Sequence, residues 1–187
     1  VVTAAATTNI GNINWVIPRN NGKIVFEVGV PDRTAAEYKL GDFDYCEGFV
    51  EKKFPTTFTN PIEYSVDSRN WGAVLPYVHS SYFDVSGNRS LWDWNINFTL
   101  TGTIPTTGNA KLTIAYASSD HAQNWLFVNG SRITPSSGYY PPNGGGNAFL
   151  RQSNHAKYGL ATFDIPYNKL KVGLNTLKLQ MPSTSAG

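Results

Sequence analysis

The sequence predicts an all-β domain, an antiparallel β-sandwich of jelly-roll type, and three observations carry that reading. Aromatic residues make up 13% of the chain and charged residues only 15%, alongside 17 Gly and 11 Pro. That mixture suits short half-buried strands joined by turns. Several segments alternate apolar and polar side chains with a period of two, while none sustains a helical period. The spacers between them are rich in chain breakers, as in "TGTIPTTGN", "VNGS" and "TPSSGYYPPNGGGN". Many short strands with loops of uneven length indicate a sandwich or jelly roll.

Taken in chain order, "INWVI" places Ile13, Trp15 and Ile17 on one side, and Ile24, Phe26, Val28 and Val30 repeat the pattern. Pro31 then removes a backbone donor where pairing should continue. The following "DRTAAEYKL" (32–40) is predicted to form one helical turn, with Asp32 as its cap. In "LWDWNINFTL" Trp92, Trp94, Ile96, Phe98 and Leu100 face one way and Asp93, Asn95, Asn97 and Thr99 the other. Further strands are predicted at 111–117, 125–128, 159–165 and 176–181. With 187 residues the chain is sized for one domain with a substantial core. Residues 1–8, small and polar, read as the remnant of an interdomain linker, and 9–187 as a single β-sandwich domain.

Charge and motifs exclude several classes of function. A net charge of +2, with no basic run beyond Lys52–Lys53, gives no electrostatic footprint for nucleic acid. No apolar run approaches the roughly 20 residues of a membrane span. Cys46 stands alone, so neither an intrachain disulfide nor a cysteine cage for metal is available. Sequons at Asn88, Asn97 and Asn129 lean towards secretion. His79, His121 and His155 are widely separated, and neither a Gly-X-Ser-X-Gly elbow nor a phosphate loop is present, since "PPNGGGN" lacks the lysine. No motif requires a cofactor. A structural calcium ion needs only Asp, Asn and backbone carbonyls in a turn, and Asp42 and Asp44 are its candidate ligands.

Binding asks for less. An aromatic ring stacks on the C–H face of a sugar while neighbouring polar groups take its hydroxyls. Aromatics that no alternation assigns to a core are Trp71, Tyr77, Tyr82, Tyr139, Tyr140 and Tyr158. Trp15, Trp92 and Trp94 are in phase with aliphatic neighbours and belong to the core, whereas both faces of "WLFV" are apolar and leave Trp125 undecided. Residues 137–159 combine Tyr139 and Tyr140 with Arg151, Asn154, His155 and Lys157. Arg pairs a carboxylate through two parallel bonds and Lys adds a point charge, so an acidic glycan is a sensible partner. An ordinary solvated loop accounts for the same composition.

The polar stretch after the second strand carries a resemblance. "GVPDRTAAEY" is similar to the Gly-X-Pro-Asp-Arg-Thr-Ala-X-Glu-Phe signature that opens the C-terminal domain of rhamnogalacturonan lyases, polysaccharide lyase family 4. "GNINWVIPRNNGKIVFEVG", "KKFPTTFTNPIEYSVDSRNW", "LWDWNINFTL", "AKLTIAYASSD" and "LFVNG" resemble the family's segments in order, although "SRNWG" departs in detail. "LATFDIPYNKLKVGLNTLKLQMP" resembles the closing Phe-X-Ile-Pro…Leu-X-X-Gly-X-Asn-Thr-Leu block. The family continues into a final strand of Tyr-Asp-X-Ile-Arg-Leu type; here the sequence stops at "MPSTSAG", so either it is a truncated piece lacking that strand or the sandwich closes differently and leaves an edge exposed.

The resemblance implies a galactose-binding-domain-like jelly roll, the third domain behind a catalytic β-domain and a fibronectin-like domain. It implies a secreted, non-catalytic carbohydrate-binding module for pectic rhamnogalacturonan or a related wall polysaccharide, tethered to a catalytic domain, with no nucleic-acid or membrane partner. Two alternatives stand beside it: a structural accessory domain without glycan affinity, and a stand-alone β-sandwich lyase. The charged corner is expected to be structural, with Asp32 capping Thr34–Ala35 and Arg33 or Glu37 tying the corner down.

Overall fold

Alternation becomes strands wherever a neighbour supplies a ladder. A computed structural model describes residues 11–12, 22–30, 32–41, 53–79, 81–83, 86, 88–119, 122–142 and 157–181. Nine strands lie among them: β1 (Ile62–Ser65), β2 (Ser81–Phe83), β3 (Arg89–Leu91), β4 (Trp94–Leu100), β5 (Asn109–Tyr116), β6 (Trp125–Val128), β7 (Ser131–Arg132), β8 (Gly159–Pro166) and β9 (Gly173–Gln180). They form a five-stranded sheet of order β1-β4-β9-β6-β7 and two antiparallel pairs, β2-β3 and β5-β8. The fold is therefore all-β and sandwich-like, as expected, with short helical turns confined to connections. One pairing departs from the antiparallel expectation: β1 runs parallel to β4. A parallel neighbour needs a long crossover, and the residues between β1 and β4 provide one.

The core lies between the five-stranded sheet and the β5-β8 pair. Ile96 and Phe98 of β4, Leu177 of β9, Val128 of β6 and Ile165 of β8 join one buried cluster, against which Ala110 and Leu112 of β5 pack. The segments flanking β1 add Phe54 and Phe58 before it and Leu75 after it. Phe54 is fully buried, 4.6 Å from Phe58 and edge-on to Trp92 at 5.8 Å between ring centroids. On its outer face the β5-β8 ladder is held by cross-strand pairs, Lys111 with Asp164 and Thr113 with Thr162.

Tight polar joints set the register. The "VNGS" turn joins β6 to β7 through Asn129 and Gly130, both at positive φ (49° and 78°), the geometry of a two-residue hairpin whose twist matches its strands. Asn129 then spends its side chain inside the fold. Its amide donates to the Lys169 carbonyl and to Asn175 Oδ1, and its Oδ1 accepts from the Thr176 backbone. Asn175 has no exposed surface and satisfies Lys171 N–H and the carbonyls of Lys171 and Gly173 as well. Two of the three sequon asparagines thus have structural duties, because Asn97 donates to Glu63 and accepts from Thr176 on the face of the sheet. Asn88 is exposed.

Three expectations need correction. Residues 23–28 belong to no β-ladder, and only Phe26 and Val28 pack on the core, while Ile24 and Val30 are exposed. Alternation decides which side chains turn inward; it does not supply hydrogen-bonding neighbours. Residues 32–40 form turns and a bridge rather than a helical turn. Tyr77, a candidate loop aromatic, is 9% exposed and belongs to the core, drawn in by the ladder bonds that join Lys39 to Leu75 and Tyr77. The strand expected at 13–17 and the linker remnant 1–8 fall outside the described residues.

His79 belongs to this packing, against the ring of Trp94 at 4.8 Å, and its Nε2–H donates to the Trp92 carbonyl at 2.7 Å. A carbonyl only accepts, so Nε2 carries the proton of the neutral ring. Burial pushes the imidazole down to about 4, against the weaker pull of that hydrogen bond. The unfolded chain binds this proton at a higher pH, so the contribution is complete above the ordinary histidine range and is lost as pH falls from about 6.5 towards 4. Between pH 7 and pH 5 the domain is expected to lose about 1–2 kcal/mol. Urea titrations at the two pH values check this, with His79→Gln expected to flatten the difference.

Candidate functional site

The charged corner and the long loop meet. Asp32 Oδ1 accepts from the Thr34 backbone at 2.9 Å and from its hydroxyl at 3.0 Å, closing the turn as expected. Glu37 Oε1 takes the Val30 N–H at 2.8 Å and ties the corner to the segment before it. Gly29, at φ 80°, leaves the space filled by the Tyr38 phenol, which a side chain there would strike. Arg33, at φ 71°, is turned the other way, its guanidinium carbon 5.2 Å from the centre of the Tyr158 ring. The corner is thus structural through Asp32 and Glu37, while Arg33 reaches the base of the loop.

That base is shaped by a single bridge. Asn124 and Tyr139 exchange backbone hydrogen bonds of 2.8 and 2.9 Å, which turns the Tyr139 side chain inward. Its ring stands edge-on to Phe163 at 5.0 Å and lies 6.0 Å from Tyr116. The next residue faces the other way, and Tyr140 is 61% exposed. Pro141 is buried, and Pro142 crosses Gly159 so closely that a Cβ there would sit 3.0 Å from its ring. The loop therefore leaves and returns at one place, with Tyr140 on the outgoing side and Lys157, Tyr158 and Leu160 on the returning side. All four of these side chains are exposed.

Of the residues expected at a site, Tyr140 is exposed on the outgoing side of the loop and Lys157 and Tyr158 on the returning side, while Tyr139 packs inward. Trp71 opens the helical turn Trp71–Val74 and packs against the core cluster instead. Tyr82 belongs to β2. Arg151, Asn154 and His155, and the candidate calcium ligands Asp42 and Asp44, lie outside the described residues. Among the described residues no cluster of three or more His, Cys, Asp or Glu could hold a metal ion, and no helix is long and apolar enough to cross a membrane.

Sequence reasoning missed a second surface, the outer face of the five-stranded sheet. Register aligns Arg132, Phe127, Lys178, Asn95 and Glu63 in one row across all five strands. Arg132 stacks over Trp125 at 4.2 Å and reaches Phe127 at 5.8 Å, and the Lys178 ammonium lies 4.7 Å from Phe127. Asp93 accepts from Lys178 at 3.3 Å and from Gln180 at 2.8 Å. Glu63 accepts from Asn95 at 2.6 Å and Asn97 at 2.9 Å. Both faces of "WLFV" being apolar concealed this; only pairing with β9 shows that Leu126 and Val128 are buried and that Trp125 and Phe127 turn outward.

A general base needs a pKa brought near the working pH. Burial instead raises Tyr38 to about 12 and pushes the Tyr116 phenol up too, while a raised Tyr64 lies inside the core. A model of the CBM-like domain III of polysaccharide lyase family 4 matches residues 24–187. The chain belongs to that family. Domain III is its carbohydrate-binding-module-like unit, a non-catalytic accessory of the lyase, and exposed aromatics beside cations fit that description. No curated protein matches the chain.

Proposed function

We propose that this domain III binds pectic polysaccharide, rhamnogalacturonan first among the candidates, without cleaving it. The observation that carries the reading is the exposed Tyr158 at the loop base, with the Arg33 guanidinium 5.2 Å from its ring and the exposed Lys157 next to it in the chain. A tyrosine ring offers its face to sugar C–H groups, and a guanidinium and an ammonium take the carboxylates of galacturonate residues. Such a shallow surface leaves much of the sugar hydrated, so affinity is modest. In the same reading the domain is secreted and tethered to a catalytic domain, and Asp42 and Asp44 contribute to a structural calcium site.

Calorimetry with rhamnogalacturonan, galactan and homogalacturonan fragments, repeated with chelator, tests it. Saturable binding to an acidic fragment is expected, with Tyr158→Ala weakening it by about tenfold at an unchanged melting temperature. A second reading, docking against a neighbouring domain without glycan affinity, draws on Leu160, Val172 and Leu174, each at least 60% exposed. Failure of every fragment to bind favours that reading.

A further inference from the structure

Besides the equally unpartnered indole nitrogen of Trp125, two side-chain nitrogens of Arg132 on the outer face of the five-stranded sheet have no hydrogen-bond partner and are shielded from solvent: Nε and Nη2. These N–H groups share one edge of the guanidinium and form the fork that grips a carboxylate through two parallel bonds. The carboxylates on this face are otherwise engaged. Asp93 accepts from Lys178 and Gln180, and Glu63 from Asn95 and Asn97. Arg132 is therefore a cation seated on an aromatic platform, with no carboxylate paired to it among the described residues. A buried donor edge left unmet favours any ligand that brings the missing acceptors.

We propose that this face is a second glycan-binding site, separate from the loop base, in which Arg132 takes the carboxylate of a uronate residue. Trp125 and Phe127 support the cation from beneath, and Gln180 and Asn95, whose NH2 groups are engaged by Asp93 and Glu63, keep their amide oxygens to accept from hydroxyls of neighbouring residues. The choice of a uronate rests on the pectic reading above; the need for a planar oxyanion comes from the fork itself. Because the fork is shielded, engaging a carboxylate turns the guanidinium relative to Trp125, and the indole reports the movement.

The test is an NMR titration of the ¹⁵N-labelled chain with trigalacturonate and with its methyl ester, which keeps the shape and removes the charge. The indole N–H of Trp125, one of five tryptophans, is assigned from Trp125→Phe. The expected result is a saturable shift with the acid and none with the ester. Arg132→Gln should weaken the response by about tenfold or more, and Arg132→Lys should restore part of it. Tyr158→Ala should leave the Trp125 response intact, so loss of the loop-base reading alone is recognisable as an unchanged rhamnogalacturonan affinity in Tyr158→Ala. A silent indole at millimolar trigalacturonate, an equal response to the ester, or an unaffected Arg132→Gln each overturns the proposal. Should Arg132→Gln not fold, the contrast between acid and ester on the unaltered chain decides.

Discussion

The Asn175→Ala variant is expected to lose about 3–4 kcal/mol of stability and to melt roughly 6–14 °C lower. Asn175 is fully buried and makes four hydrogen bonds. They bind the Lys171–Gly173 turn to itself and to the "NG" hairpin through Asn129. Alanine removes every partner at once and leaves a backbone N–H, two carbonyls and the Asn129 amide to be met by water that reaches them poorly. Leaving buried polar groups unmet costs more than the bonds gained by forming them. Asn175→Asp should cost a similar amount, because a carboxylate cannot donate to the two carbonyls. Differential scanning calorimetry of the three proteins checks the ranking. An Asn175→Ala variant within 0.5 kcal/mol of the parent would show that the turn closes without this side chain.

For Phe54→Ala a loss of about 3–5 kcal/mol is expected, and for Phe54→Leu about a third of that. The ring is fully buried where the connection before β1 packs against Trp92 and Phe58. Truncation opens a cavity beside the Phe58 ring and the rigid Trp92 indole, and these cannot fully close on it. The change in denaturant midpoint without a change in slope is the measurement. A slope that fell instead would place the effect in the unfolded or partly folded state. Both residues stand in segments whose resemblance to the lyase family is plain in the sequence, "KKFPTTF" and "VGLNTL". In those segments Phe54 serves packing and Asn175 backbone closure.

The same distinction runs through the candidate sites. Tyr140, Lys157 and Tyr158 were recognisable as loop residues without an in-phase apolar neighbour, and all three are exposed. Arg33 was not recognisable as their companion, because it lies over a hundred residues away and its direction depends on a positive φ. Tyr77 and Trp71 have the same outward signature in sequence as Tyr140, yet one is buried in the core and the other packs on it. Local composition carries no information about which connection folds back over a sheet.

What the chain determines by itself is periodic: which segments alternate, which side of β4 is apolar, where "VNGS" must turn, and, through the order of its motifs, which family it belongs to. These follow from the two-residue repeat of the pleat and from backbone preferences that neighbouring residues set alone. The tertiary structure decides what depends on register between distant strands. It makes β1 parallel to β4, seals His79 against Trp94, and assembles Arg132, Phe127, Lys178, Asn95 and Glu63 into one row from five strands. A shift of one residue in any of those pairings would exchange the row for core side chains, so the surface exists only because the buried face has already chosen the register.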